Sequence, residues 1–120
     1  MKINIDTSVS DVIDRFSILK IKEKNGLNVR LELSLYEPIV QDLEKVGFER
    51  YSQLLLLLNE QMWDLEDQKR KTTDRYSVAY ANISELITQL NDLRAATKRK
   101  CDDYFRSEIR EKKSHQDLVE

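Results

Sequence analysis

The chain has 120 residues, enough for one domain with a short tail. Two glycines and one proline are too few for a turn-rich sandwich or barrel, and they exclude a doubly wound nucleotide-binding fold, whose loops need glycine. Twenty basic residues against 22 acidic ones leave a net charge of −2, so no global field draws the chain to nucleic acid or to an anionic membrane.

Charged residues make up 35% of the chain and apolar ones 40%, a mixture that suits long amphipathic helices. The single cysteine, Cys101, permits no internal disulfide, and no CxxC pair exists to hold zinc or run redox chemistry. Met1 to Asp6 lacks the apolar stretch of a signal peptide. The longest apolar run is Leu54 to Leu58, five residues against the roughly 20 needed to cross a bilayer. A soluble cytoplasmic protein without a cofactor is the expectation.

Residues 2–5 alternate polar and apolar, as a short strand or an extended arm would. Ser8 and Asp11 have the spacing of a capping box. Apolar residues then fall at Val9, Val12, Ile13, Phe16, Leu19 and Ile21, which predicts a first helix over 9–24, stopped by Asn25-Gly26. A second helix is predicted from near Leu27 or Asn28, with Val29, Leu33, Tyr36, Val40 and Leu43 on one row. Leu31, Leu35 and Ile39 fill an adjoining row. Pro38 predicts a kink or break near Tyr36-Glu37, and Gly47 ends the helix.

The third helix is predicted over 49–71, carried by Tyr51, Leu54 or Leu55, Leu58, Met62 and Leu65. Residues 70–76 read as a turn in which Thr73 or Asp74 caps the next helix. The fourth helix is carried by Ala79, Ile83, Leu86, Leu90, Leu93 and Thr97. Its seam fades after Leu93, leaving Cys101, Tyr104, Phe105 and Ile109 among charges. Continued to residue 112 it is a rod of about 57 Å, whose last turns overhang the bundle or pack on a second chain.

The short connections favour antiparallel neighbours. The predicted fold is all-α: an antiparallel up-down bundle of four helices with a long C-terminal helix and coiled-coil-like packing. It forms a single domain over 1–113, with a frayed tail over 114–120.

Polar residues border the apolar seams. Asn59, Trp63 and Glu66 share one face of the third helix, and Asn91, Arg94 and Lys98 one face of the fourth. Asp14 and Lys22 lie on the first helix. These eight are the candidate ligand-binding residues. In a functional reading, Arg94 and Lys98 bind an anion, Asn59 and Asn91 orient it, and Trp63 stacks on it. In a structural reading, Arg94 pairs with Glu66 or Asp14 and the asparagines set helix register. Border positions on bundle helices are usually polar, so the structural reading comes first.

The pairs Asp64/Asp67, Asp11/Asp14 and Glu108/Glu111 have the i, i+3 spacing of helical magnesium sites. Such pairs arise readily by chance among 22 acids, and no metal site is expected. Lys98-Arg99-Lys100 with Arg106, Arg110, Lys112 and Lys113 makes the C-terminal rod locally basic. Four acids, Asp102, Asp103, Glu108 and Glu111, dilute it, so a solvated face is expected in place of a nucleic-acid site. His115 stands alone, which leaves no histidine-based catalysis, and Cys101 reads as an ordinary thiol.

Four segments, in order, carry a family resemblance. They are Val9 to Lys22 (VSDVIDRFSILKIK), Asn28 to Leu33 (NVRLEL), Asn59 to Asp67 (NEQMWDLED) and Asn91 to Lys100 (NDLRAATKRK). Together they resemble a family of short helical bacterial proteins catalogued as a domain of unknown function, family 6165. That family's pattern is IDK-x-(T/S)-IL-x-IK, NVR-x-EL, N-x-x-LWD-(I/L)-ED and ND-x-RA-x-K. The chain departs from it at Arg15, where lysine is usual. It also lacks a proline-glycine insertion before Asp11, carries Pro38, and has a longer tail after Lys100.

The family supplies no activity. The resemblance implies only that Asp14, Lys22, Asn28, Arg30, Asn59, Trp63, Asp64, Glu66, Asp67, Asn91, Arg94 and Lys98 are motif positions. The expected function is a self-associating, non-enzymatic interaction or scaffold module, with a homodimer as its partner state. The alternative is a small binding protein or enzyme for a phosphorylated or carboxylated ligand at Arg94, Lys98, Asn59, Asn91 and Trp63.

Overall fold

Helix α1, Val9–Lys24, begins where the sequence places its cap: the Ser8 hydroxyl accepts from the Asp11 amide at 3.2 Å. It ends in a Schellman turn. Leu27 N–H returns to Lys22 O and Gly26 N–H to Glu23 O, each at 3.0 Å, with Gly26 at φ +86°. The computed structural model describes residues 1, 3, 4 and 6–112, with side chains through Arg106. Residues 3 and 4 of the predicted N-terminal arm carry no regular structure. The expected frayed tail over 114–120, with His115, lies outside the described residues. So do the side chains of Glu108, Ile109, Arg110, Glu111, Lys112 and Lys113.

Helix α2 spans Arg30–Leu43, α3 Glu49–Lys71 and α4 Val78–Lys112. A π-turn, Glu44–Phe48, joins α2 to α3 without a loop. The fold is all-α, but three helices build it where four were expected. α1, α3 and α4 pack on one another, α3 most extensively with α4, while α2 lies outside against α1.

Of the kink or break expected near Tyr36-Glu37, no break occurs: helical conformation persists across Pro38 to Leu43. The interruption falls instead at Val46 (φ −99°, ψ 16°) and Gly47 (φ +101°). A left-handed residue ends α-helical geometry outright, whereas Pro38, inside α2, lacks one amide donor and is carried within the helix. The cap of α4 is Ser77, not Thr73 or Asp74: Tyr80 N–H donates to the Ser77 hydroxyl at 3.1 Å.

The core lies among Ile13 of α1, Phe48 of the π-turn, Leu55 of α3 and Cys101 of α4, with Val9, Leu43, Tyr51 and Phe105 packed against it. The Phe48 ring meets Tyr104 edge-on at 5.5 Å and Phe105 at 5.6 Å. The α4 seam therefore does not fade at Leu93. It runs on through buried Thr97 and Cys101 to Phe105, and the predicted overhang does not begin before that residue. The predicted α4 heptad faces the core only in part. Ala79, Leu86 and Leu93 are exposed, and inward positions pass through Ile87, Arg94 and Thr97. Likewise α3 buries Leu55 and leaves Leu54 40% exposed.

Candidate functional site

α1 presents Ser10, Asp14 and Ser17 at one-turn spacing, all buried. α4 runs antiparallel beside it and presents Asp102, Lys98 and Arg94 at the same spacing in reverse. Their side chains meet as a ladder. Ser10 donates its amide and hydroxyl to the two oxygens of Asp102 at 3.0 and 2.8 Å. Lys98 Nζ reaches Asp11 at 2.6 Å. Arg94 donates Nε and Nη2 to the two oxygens of Asp14 at 2.9 and 2.5 Å. This fork is the bidentate geometry that guanidinium groups make with carboxylates.

α3 enters through Asn59, which is buried. Its amide donates to Asp14 Oδ1 at 2.9 Å and to Ser17 Oγ at 2.7 Å, and the Ser17 hydroxyl donates to the Asp14 carbonyl at 2.6 Å. Asp14 thus ties all three core helices together. Burial alone pushes its pKa up. The hydrogen bonds from Arg94 and Asn59, with the charges of Arg94 and Lys98, outweigh burial and hold it below the ordinary value. The Lys98 hydrogen bond lowers Asp11 in the same way, and the Asp14 hydrogen bond raises Arg94.

Two clefts flank this network. The larger, about 620 Å³, is lined by Asn59, Trp63, Glu66, Asn91 and Arg94 together with Arg70, Thr88 and an apolar wall of Ile18, Ile21, Met62 and Ile87. The smaller, about 350 Å³, is lined by Ser8, Ser10, Asp11, Asn91, Arg94, Ala95, Lys98, Arg99 and Asp102. Arg94 and Asn91 border both, and Arg94 Nη1 reaches Asn91 Oδ1 at 3.4 Å. Five of the eight candidate residues thus gather at one cleft and Lys98 at its neighbour, with Asp14 beneath. Lys22 borders neither cleft and makes no ion pair among the described residues.

The other motif positions lie apart. Asn28 is exposed before α2, Arg30 pairs with Glu23 and Glu37, Asp64 faces a different groove, and Asp67 pairs with Arg70 and Lys71.

Three of the cations at the clefts are paired. Arg94 is committed to Asp14, Lys98 to Asp11 and Arg70 to Asp67, while Glu66 keeps an unengaged carboxylate in the larger cleft. Among the described residues no group of three or more histidine, cysteine or acidic side chains is placed to hold a metal ion. Cys101 is fully buried, and burial with the nearby charge of Asp102 pushes its thiol up to about 12, far from a reactive thiolate. No described helix is long and apolar enough to cross a membrane.

Ser10, Ser17 and Asp102 belong to the network but escaped the sequence reading. The signal that points to them is the matched spacing of Ser10, Asp11 and Asp14 against Asp102, Lys98 and Arg94. No protein-family model matches the chain, and neither a curated protein nor a solved structure matches it.

Proposed function

We propose that the chain is a non-enzymatic, self-associating helical module of the cytoplasm, whose inter-helix polar network serves structure. The observation that carries this reading is the apolar character of both faces of α2. Leu33 and Val40 are buried against the protein, while Leu31, Leu35 and Ile39 are 79%, 65% and 51% exposed. A surface helix normally carries one apolar stripe, and a second stripe at helical spacing marks an interaction surface. The resemblance to the helical bacterial family belongs to this reading. The matched positions Asp14, Asn59 and Arg94 are those the network uses to join three helices.

Light scattering over a range of concentrations tests it. The expected result is a dimer, and a compact monomer at high concentration overturns it. A second reading, binding of a phosphorylated or carboxylated ligand, is favoured by the gathering of Asn59, Trp63, Asn91 and Arg94 at one cleft. The pairing of Arg94 with Asp14 counts against it, because the cation is already neutralised. Thermal shift against phosphate- and carboxylate-bearing metabolites separates the two readings. A ligand at 100 times its Kd adds about 2.7 kcal/mol of stability.

A further inference from the structure

We infer that the α2 stripe of one copy seats in the α3–α4 groove of a second copy, and that the second copy returns the contact. The inference rests on the self-association proposed above and names its surfaces. The groove is lined by Gln61, Asp64, Leu65, Leu86, Gln89, Leu90 and Leu93, all from α3 and α4. It encloses about 360 Å³. Leu86 and Leu93 there are 46% and 55% exposed, and Leu57 on the adjoining α3 surface is 51% exposed.

Stripe and groove match in length. Leu31 to Ile39 covers about 12 Å of helix and Leu86 to Leu93 about 10 Å, at 1.5 Å per residue. They also match in chemistry. The stripe offers branched aliphatic side chains, and four leucines of the groove meet them beside the Gln61 and Gln89 amides and the Asp64 carboxylate. Three helices packed in a bundle leave an open furrow between two of them, and a fourth helix is the element that fills such a furrow.

The chain's own α2 cannot fill it. Only five residues, 25–29, separate α1 from α2, and α2 is held against α1, whereas α3 and α4 alone line the groove. A second copy brings an α2 free of that tether. Each copy owns one stripe and one groove, so a two-fold pair fills both seats and closes.

The area suffices for a stable pair. Leu31, Leu35 and Ile39 with Leu57, Leu86 and Leu93 are six side chains that are each about half exposed or more. At roughly 100 Å² apiece they remove about 600 Å² of apolar surface per copy, the greater part of the roughly 800 Å² per partner of a standard specific interface.

Disulfide trapping tests the seat. Leu35→Cys protein is mixed with Gln89→Cys protein and oxidised, with buried Cys101 left in place. The expected product is a covalent heterodimer of the two variants. In parallel, Leu35→Asp/Ile39→Asp and Leu86→Asp/Leu93→Asp proteins are each compared with the unaltered chain by sedimentation. Each is expected to be monomeric with its helical circular dichroism retained, since these positions are exposed. If the unaltered chain dimerises but Leu35→Cys joins only itself, or the groove variant stays dimeric, the seat is wrong and self-association stands. If the unaltered chain is a monomer, both fall.

Discussion

Arg94 of α4 grips both carboxylate oxygens of Asp14 of α1, at 2.9 and 2.5 Å, and the Asp14 side chain is only 4% exposed. Such a pair is defined by what its loss leaves behind. Taking away one partner strands a charge in a poorly solvated place. Replacing both with apolar groups removes the desolvation cost along with the attraction. Asp14→Leu is therefore expected to cost about 3 kcal/mol, at the lower end for a buried pair because the Arg94 side chain keeps 28% exposure. Asp14→Leu/Arg94→Met is expected to recover part of that loss, with a remainder of about 1–3 kcal/mol because the buried Asn59 amide loses its Asp14 acceptor. Urea unfolding of the two single variants and the double variant measures the coupling.

The same carboxylate makes stability depend on acid. The folded pKa of Asp14 lies below its ordinary value of 3.8, and the Lys98 hydrogen bond holds Asp11 below its own as well. Groups depressed in this way contribute stability that is fully present above the unfolded pKa. It is lost as pH falls through the folded one. Thermal midpoints are expected to hold above about pH 5 and to decline below about pH 4. Asp14→Asn is expected to lower the midpoint near neutrality and to flatten the acid decline. An equally steep decline in that variant assigns the acid response to other carboxylates.

The run Leu54 to Leu58 offers a direct test of which row faces inward. Leu55 is fully buried beside Phe48 and Cys101, whereas Leu54 is 40% exposed. Leu55→Ala is expected to cost about 2–5 kcal/mol, as core leucine truncations do. Leu54→Ala is expected to stay within about 1 kcal/mol. Chemical denaturation of both variants is the measurement, and equal losses reject this register of α3.

Gly47 is the hinge between α2 and α3. Its φ of +101° suits glycine alone, and an added Cβ meets the Tyr104 hydroxyl at 3.2 Å. Gly26, at φ +86°, has open space around a Cβ. Gly26→Ala therefore carries backbone strain of about 1–2 kcal/mol, and Gly47→Ala carries that strain together with a contact at the aromatic cluster. The Gly47 variant is expected to show the larger fall in Tm, with a changed near-ultraviolet signal from the Tyr104 environment.

Much of the fold is written locally along the chain. Ser8 caps α1, Asn25-Gly26 stops it, Gly47 turns α2 into α3, and periodicity locates α3 within its observed bounds. Each of these depends on a few neighbouring residues and their backbone preferences, which is why sequence alone reaches them. The polar residues Asp14, Asn59, Arg94 and Lys98 were legible too, because they border apolar rows.

The choice among adjacent rows was not legible. Leu54 and Leu55, or Leu86 and Ile87, are equally apolar, and either row satisfies helical spacing. Packing settles the choice, because only one row of each helix meets the partner helices. Long-range packing also pairs Arg94 with Asp14 instead of Glu66, extends the α4 seam through Cys101 to Phe105, and sets α2 outside a core of three helices. Each of those outcomes joins residues from different helices, some of them 80 positions apart in the chain, and a local pattern carries no record of such distances.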